Sequence, residues 1–430
     1  MARAFSPSAQ RVPEWVVTSS QSSSRSVALP VGQGDAFFLE TPEGSVLVDG
    51  GKSKEGFPDL FRNTTGRGQA DILVCTHNDA DHANGFLGFL RVGLGCREIW
   101  LPGRWLATLP YVLKPGEQLV AALWQQAHEA AHSSELRTAF DERHATHEPA
   151  RPVIEVYGDQ LAAKRQSQVD SKEEQPSSES SSQGAVGGWP DELIDDLERA
   201  AEEEPSDRFS SLRWPVRVWG LRPLPPIPAR LFVGALVAAE RIRQIALAAF
   251  HRGVAVRWFE YDLSSPGGGN SWLEALNAKH LSYVPPAAER ELLYFLALTT
   301  SNLESLVFWA PSKDRRPGVL FTADSDLKSV KLPTNLSGAL VTAPHHGSEA
   351  NSVAYPAVER WARKVVSWVR SDGRFLSRPG QTYLGVSGRR ACTLCRAPEP
   401  LPKQAVHFFS RSGNWSRSRG TTVCGCIAKN

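Results

Sequence analysis

Three apolar segments of this chain each end in side chains that can bind a metal ion. These side chains are His77, Asp79, Asp81 and His82 after DILVC, Asp324 after VLFTA, and His345 and His346 after ALVTAP. In an extended loop residues i and i+2 project the same way, so His77 and Asp79 can bind one cation while Asp81 and His82 turn towards another. A single histidine beside an aspartate is usually structural, but three clusters that each end an apolar strand indicate metal binding.

Apolar segments of strand length alternate with segments of helix length. The predicted strands are AFFLE, SVLVD, ADILVCTH, CREIWLP, VAVRWFEYD, SLVFWA, GVLFTAD, ALVTAPHH and KVVSWV. The predicted helices are DHANGFLGFLRVG, in which Asp81 can cap the first turn, residues 229–252, and AAERELLYFLAL. This alternation predicts an α/β fold. The two strand-rich parts flank a helical middle and can be two halves of one sandwich.

The composition is that of a soluble globular chain. Of 430 residues, 41% are hydrophobic and 22% are charged, which is unlike a disordered or fibrous protein. The start, MARAFSPSAQRVPEW, lacks the layout of a signal peptide, and the most apolar helical segment carries Glu240, Arg241 and Arg243, so we expect no membrane span. Six cysteines without a secretory leader favour a reducing compartment. We therefore expect a cytoplasmic protein.

Charge is distributed unevenly along the chain. Residues 166–207 contain 13 acidic and 2 basic residues, whereas residues 360–430 contain 14 basic and 2 acidic ones. The Ser- and Glu-rich segment 166–210 predicts a flexible insertion that can recruit a protein partner. The basic C-terminal part can attract a phosphate-bearing substrate.

Several motifs resemble those of metallo-β-lactamase-fold hydrolases. HNDADH is similar to their His-x-His-x-Asp-His motif with Asp79 in place of the second histidine, the form found in the soluble hydrolase domain of the competence protein ComEC. LPVGQGDAFFLETPEGSVLVDGG resembles the opening strand pair and Asp-Gly-Gly turn of that family. SNLESLVFWAPSKDRRPGVLFTADSD resembles its Asn-x-x-Ser-Leu-Val strand and Thr-Gly-Asp, and APHHGSEAN resembles its Pro-His-His-Gly-Ser.

The resemblance implies an αββα four-layer sandwich with an inserted helical or disordered middle region. In this division residues 1–165 are the first half of the metallo-β-lactamase-like domain and residues 166–210 are the acidic insertion. Residues 211–390 supply a helical segment and the second half, and residues 391–430 are a basic, cysteine-containing tail.

The resemblance also implies roles for individual residues. His77 and Asp79 would bind the first of two metal ions, Asp81, His82 and His345 the second, and Asp324 would bridge both. Asp49 and Asn302 would support these ligands from behind. Asp81 could also orient the attacking hydroxide, and the candidates for a general acid are His346, Ser348 and Arg378. Of the two adjacent histidines we favour His345 as the ligand, because it lies nearer the strand end.

The sequence departs from the family pattern in two places. A further histidine for the first metal has no clear counterpart, and the histidines of the middle region are His144, His147, His251 and His280. Arg378-Pro379 stands where the family has His-Pro, which favours an anionic substrate because guanidinium binds phosphate oxygens in pairs. Aspartate in place of histidine adds a hard oxygen ligand, so manganese becomes an alternative to zinc.

These features predict a metal-dependent enzyme that cleaves phosphoester bonds of nucleic acid or nucleotides through a metal-activated hydroxide. One alternative is a metal-dependent carboxylic ester, lactam or thioester hydrolase. Another is a non-catalytic scaffold with a vestigial metal site. Substrate charge discriminates between the enzymes, and the arginines that favour phosphate are Arg374, Arg378, Arg389 and Arg390.

The C-terminal tail contains four cysteines in two pairs. Cys392 and Cys395 form a C-x2-C pair, whereas Cys424 and Cys426 are separated by one residue. A structural zinc and a set of free buried thiols are both compatible with this spacing. The segment HFFSRSGNWSRSRG can either contact nucleic acid or form a final strand that buries Phe408 and Phe409.

Overall fold

A computed structural model describes residues 24–114, 116–132, 153–169, 224–313, 316–362, 365–371, 378–395, 402–411, 413–418 and 424–426. It confirms the α/β class, because helices accompany two mixed β-sheets. The acidic insertion falls almost entirely outside the described residues. None of the helices in the described ranges combines the length and apolarity that a membrane span requires.

The first sheet contains strands from both ends of the chain. Its strands are β1 (Arg25–Ala28), β2 (Phe37–Thr41), β3 (Gly44–Val48), β4 (Ile72–Val74), β5 (Glu98–Pro102), β6 (Ala255–Tyr261), β9 (Ala278–Leu281), β15 (Val406–Arg411) and β16 (Asn414–Arg417). Their order across the sheet is β16-β15-β1-β2-β3-β4-β5-β6-β9. Strands β3 to β6 are parallel, so their carboxyl ends share one edge.

The second sheet is built from the later part of the chain. Its strands are β7 (Gly269–Asn270), β8 (Leu273–Ala275), β10 (Phe308–Ala310), β11 (Val319–Phe321), β12 (Leu340–Thr342), β13 (Ser367–Arg370) and β14 (Arg389–Cys392). Their order is β14-β13-β12-β11-β10-β8-β7. Strands β11 to β14 are parallel, so this sheet also has one edge formed by carboxyl ends.

The described helices are α1 (Phe57–Thr65), α2 (Ala80–Arg91), α3 (Gly103–Val112), α4 (Gly116–Ala130), α5 (Val153–Val169), α6 (Pro226–His251), α7 (Leu292–Thr299), α8 (Ala354–Trp361) and α9 (Gln381–Leu384). Short 3-10 turns cover Glu289–Glu291, Pro344–Gly347 and Glu349–Asn351. The predicted helix near residues 229–252 is therefore present as α6, and it is buried along most of its length.

Alternating side chains divide the core into three clusters. In β4, Ile72 and Val74 join residues of both sheets in a cluster between the sheets, whereas Leu73 packs with α1, α2 and α6 on the other face. In the second sheet, Val341 and Trp368 face a third cluster that includes side chains of α8. The two sheets therefore pack face to face, and each outer face carries helices.

The backbone of the loop after β3 is in direct contact with the backbone of the first turns of α2. Gly50 N donates to His82 O at 2.9 Å, and Gly85 N donates to Gly51 O at 2.8 Å. A Cβ atom on Gly85 would lie 1.9 Å from Gly50 O, which is far inside van der Waals contact. Glycine at position 85 is therefore what allows the helix to approach the loop.

Replacing Gly85 with alanine should destabilise the fold although alanine favours helices. The added Cβ must push α2 away from the loop, and overpacking of this kind costs about 1–3 kcal/mol. Urea unfolding of Gly85→Ala would measure the loss. Gly68→Ala is the matched control, because a Cβ at Gly68 meets nothing within 4 Å. Equal stability of the two variants would show that the contact is easily relaxed.

Candidate metal centre

Asp324, which follows β11, lies at the centre of four histidines. Its Oδ1 atom is 3.2 Å from His82 Nε2 and 3.6 Å from His346 Nε2. Its Oδ2 atom is 3.5 Å from His345 Nε2 and 3.9 Å from His77 Nε2. The carboxyl ends of β4, β11 and β12 bring these residues together, with His82 added from the first turn of α2.

Each of the four histidines is held at Nδ1 by an oxygen atom. These oxygens are Thr76 Oγ1 for His77 at 3.0 Å, Asp49 Oδ2 for His82 at 2.8 Å, Asn351 Oδ1 for His345 at 3.1 Å and Asp35 Oδ1 for His346 at 2.9 Å. The Thr76 hydroxyl donates to Asp49 Oδ2 at 2.8 Å, so it accepts from His77 Nδ1. Every Nε2 atom is thereby turned towards Asp324, which is the arrangement of metal-binding histidines supported by oxygen acceptors.

Asp49 connects two of the ligand-bearing elements. Its Oδ1 accepts from Thr76 N at 2.8 Å, and its Oδ2 accepts from the Thr76 hydroxyl and from His82 Nδ1, each at 2.8 Å. The carboxylate is 1% exposed. These contacts are the ones that the supporting role predicted for Asp49 requires, because they orient both the strand end and the imidazole of His82.

Asp79 and Asp81 lie on either side of the start of α2. The helix begins at Ala80, one residue before the predicted start, and Asp79 occupies the N-cap position without a side-chain capping bond. Its Oδ2 atom instead lies 3.5 Å from His77 Nε2. Asp81 Oδ2 lies 3.6 Å from His346 Nε2. Asp81, the carboxylate predicted to cap the helix, thus faces the histidine cluster.

Asp35 belongs to the site although sequence reasoning did not select it. Its Oδ1 atom accepts from His346 Nδ1 and lies 2.5 Å from Ser371 Oγ, at the end of β13. Ligand atoms of Asp35, His82, Asp324 and His346 lie within 4.8 Å of one another. The sequence signal for Asp35 is the glycine that precedes it in GQGDA. Gly34 has φ +89°, and a Cβ there would lie 1.6 Å from Asp81 O, so this position requires glycine.

The two adjacent histidines differ in their contacts. His346 Nε2 lies between the carboxylates of Asp81 and Asp324 and makes no hydrogen bond to a described residue. His345 Nε2 accepts a hydrogen bond from Arg378 Nη2 at 2.7 Å. Both imidazoles reach the cluster, but this geometry favours His346 as the better-placed ligand and places Arg378 beside His345.

Backbone strain is concentrated at this edge. Four of the non-glycine residues with positive φ are Asp49 (58°), Ala323 (46°), His345 (46°) and His346 (55°). A left-handed backbone at a non-glycine residue costs on the order of 1 kcal/mol or more. The fold holds these residues in place, as is common where side chains are positioned for function.

A divalent cation fits the atoms that converge here. His77 Nε2, His82 Nε2, His346 Nε2, Asp324 Oδ1 and Asp35 Oδ2 are buried and lack a hydrogen-bond partner among the described residues. Imidazole nitrogen and carboxylate oxygen are ligands of both zinc and manganese. Ligand atoms of His82, His346, Asp35 and Asp324 converge on one position. Beside it, His77 Nε2 lies 3.5 Å from Asp79 Oδ2 and 3.9 Å from Asp324 Oδ2.

The buried carboxylates of the cluster shift the pKa values of two of its histidines. Burial opposes the charged form of His82, yet the carboxylates of Asp324 and Asp49 raise its pKa well above the ordinary value. Burial also opposes the charged form of His346, and Asp35 and Asp324 raise its pKa. Positive charge is therefore favoured at the two Nε2 atoms, which a bound cation would also provide.

His77 behaves differently from the other histidines. Burial, together with the nearby charge of His82, lowers its pKa to about 4. Its imidazole is therefore neutral near pH 7. With Nδ1 donating to Thr76, the lone pair of Nε2 is directed towards the carboxylates.

Helix α6 supports the ligand loop from the opposite side. Arg241, which is 5% exposed, donates through Nε to Asn84 Oδ1 at 2.8 Å and through Nη1 to the carbonyl of Asn78. Asn78 Nδ2 donates to Ala238 O at 3.0 Å. From the sequence, Arg241 indicates only that α6 does not span a membrane. In the structure its guanidinium holds the loop between His77 and Asp79 in place.

The other predicted residues have separate positions. Asn302 is buried in the turn that leads to Leu306, whose N–H donates to Thr76 O at 3.0 Å. Ser348 Oγ accepts from Ala350 N at 3.1 Å, as the cap of a 3-10 turn. His251 and His280 are exposed, whereas His144, His147 and Arg374 lie outside the described residues.

Arg389 and Arg390 line a cavity of about 500 Å³ with Phe408, Trp415 and Arg417. They lie on β14, and Arg389 pairs with Ser367 at the amino end of β13. The metal cluster lies at the carboxyl end of these strands, so the two arginines are not part of it. The four cysteines of the tail form a separate cluster, with their Sγ atoms within 4.8 Å of one another.

No protein-family model and no curated protein matches this chain.

Asp49→Asn should destabilise the protein in the absence of metal. Asparagine tolerates the positive φ at this position, so the substitution tests the carboxylate and its three hydrogen bonds. Hydrogen bonds to a charged group contribute about 1.5–3 kcal/mol, and we expect the free energy of unfolding in urea and EDTA to fall by about that amount.

Asp59→Asn is the control for this measurement, because Asp59 is an exposed residue of α1, with 77% side-chain exposure. If both variants unfold at the same urea concentration as the unmodified protein, Asp49 does not organise the site.

Proposed function

We propose that this protein is a metal-dependent hydrolase of the metallo-β-lactamase superfamily that cleaves phosphoester bonds of nucleic acid or nucleotides. The observation that carries the proposal is the orientation of four histidines, each held at Nδ1 by an oxygen, with Nε2 atoms 3.2–3.9 Å from the carboxylate of Asp324. A buried cluster of this kind suits two divalent cations, zinc or manganese.

We also propose that the two packed sheets with their outer helices form the αββα sandwich of that superfamily. Two features support this: the ligands come from the carboxyl ends of parallel strands in both sheets, and the motifs occur in the order of the family. Such an enzyme would act in the cytoplasm.

When bound, two divalent cations would supply a hydroxide nucleophile near neutral pH and stabilise negative charge on the phosphoryl group. The protein would position and orient the reactants. Asp81 has 19% side-chain exposure, whereas Asp324 and His346 have 3% or less, so substrate would approach from the side of Asp81.

Asp81 suits the orienting role. Burial would raise its pKa, but the nearby imidazoles of His346 and His82 hold the pKa well below its ordinary range. Asp81 therefore remains a carboxylate near neutral pH, and it can accept a hydrogen bond from the nucleophile but cannot donate a proton.

Arg378 favours a phosphoester over a neutral substrate. Its side chain is 5% exposed and contacts His345, a neighbour of the Asp324 carboxylate. Guanidinium stays charged and binds phosphate oxygens in pairs. We therefore assign Arg378 to binding the phosphoryl group, and His346 to the second metal in place of a general-acid role.

The purified protein should hydrolyse bis-p-nitrophenyl phosphate, and plasmid or single-stranded DNA, when zinc or manganese is added. The double variant Asp81→Ala/His82→Ala should lose at least about 100-fold in kcat/KM, since it removes ligands and the residue that orients the nucleophile. Metal content of both proteins should be measured alongside the activity.

Asp59→Ala is the control, because it removes an exposed carboxylate of α1 and leaves every residue of the site in place. Equal inactivity of the unmodified protein and the double variant on every phosphoester, at full metal loading, would rule out the proposed reaction. Turnover of nitrocefin or a thioester in its place would identify the lactam or thioester alternative. If the protein neither binds metal nor turns over any of these substrates, the scaffold alternative is supported.

Arg378→Ala should change substrate preference. Loss of a charge-assisted contact with phosphate costs about 1.5–3 kcal/mol, which corresponds to roughly a 10- to 100-fold lower kcat/KM. Hydrolysis of neutral p-nitrophenyl acetate, if detectable, should fall much less. A parallel loss on both substrates would show that Arg378 acts by holding His345 in place.

A further inference from the structure

A second set of metal-binding side chains lies in the C-terminal part of the chain. Cys392 ends β14 and Cys395 follows it, while Cys424 and Cys426 return to the same place after β16. All four are buried, with 6% exposure or less. We propose that these four cysteines hold one structural zinc ion, which fastens the end of the chain to the edge of the second sheet.

The spacing of the sulfur atoms matches a tetrahedral thiolate site. Zinc–sulfur bonds of about 2.3 Å place the sulfurs of a tetrahedron about 3.8 Å apart. Cys395 Sγ and Cys426 Sγ lie 3.7 Å apart, and all four Sγ atoms are within 4.8 Å of one another. None of the six cysteines, all within the described residues, forms a disulfide bond. Four sulfur ligands leave no open position, so the site would be structural.

Donors around the thiols support the charged form that a metal requires. Gly425 N donates to Cys395 Sγ at 3.2 Å, and Arg370 Nη2 lies 3.8 Å from Cys426 Sγ. Four thiolates and one Zn²⁺ carry a net charge of about −2, which a backbone N–H and a guanidinium partly offset.

A purely hydrophobic origin for the cluster is weaker. The cluster consists of the four cysteines, and Leu384 is the partly buried hydrophobic residue that packs against it among the described residues. Burial of four small thiols contributes little compared with the entropy of ordering the segment that carries Cys424 and Cys426. A zinc ion would supply the missing stabilisation.

The proposed zinc site would also affect the histidine cluster, and this consequence rests on the proposed function. Thr393, between the first two cysteines, donates through N to Arg370 O at 3.0 Å and through Oγ1 to Ser371 O. Ser371 Oγ contacts Asp35, which holds His346 Nδ1. The zinc site and the hydrolytic site are thus joined by consecutive hydrogen bonds.

The experiment measures zinc in the full-length protein carrying Asp81→Ala/His82→Ala, which weakens metal binding at the histidine cluster. Titration with p-hydroxymercuribenzoate in the presence of a zinc indicator should release one zinc per chain as four thiols react. Cobalt introduced in place of zinc should show the intense thiolate-to-cobalt absorption of a tetrahedral site.

Cys392→Ser and Cys424→Ser, made in the same background, should lose that zinc and the cobalt absorption, and we expect Tm to fall by about 5 °C or more. Cys96→Ser is the matched control, since Cys96 is a half-buried thiol outside the cluster. It should retain the zinc, the absorption and the Tm.

The proposal is overturned if the parent releases no zinc on thiol titration and cobalt gives no thiolate absorption, a result that does not require the cysteine variants to fold. It is also overturned if the cysteine variants keep one zinc per chain. Because these readouts do not depend on hydrolysis, failure of the zinc site and failure of the proposed activity are distinguishable.

Discussion

The hydrogen bond at Nδ1 of each clustered histidine is the interaction on which the rest of the site depends. An imidazole with Nδ1 donating to a fixed oxygen can direct Nε2 along only one line. Asp49 and Asp35 supply two of these acceptors from the first sheet, and the other two come from Thr76 and Asn351. Burying carboxylates is costly unless they are paired, so the same bonds also offset the burial of the acidic groups.

Positioning is enforced from several directions because small displacements matter for a metal site. The loop that carries His77 is bound by Asp49 on one side and by Arg241 of α6 on the other. Helix α2, which follows this loop, is fixed in turn by the contact of Gly85 with Gly50. Left-handed backbone at four residues of this edge adds strain that the surrounding packing must balance. Support from several directions restricts the positions that these side chains can adopt.

The sequence predicted the strand ends well because their signal is local. An apolar run followed by His77 or Asp324 is visible within ten residues, and the α/β class follows from alternation. Asp35 and Arg241 were not found as site residues, because they reach the cluster across 311 and 163 positions of the chain, respectively. The choice between His345 and His346 also needed the structure, since φ is positive at both and the alternation of an extended strand no longer applies.

The C-terminal tail shows how a basic segment can be structural and still affect the site. Strand β15 pairs with β1 and buries Phe408 between the sheets, whereas Phe409, which the strand alternative also expected to be buried, is only half-buried. Cys424 and Cys426 lie beside Cys392, at the end of β14. Since Thr393 contacts Ser371, Ser371 contacts Asp35 and Asp35 holds His346 Nδ1, a change in this tail would reach the histidine cluster through the position of His346.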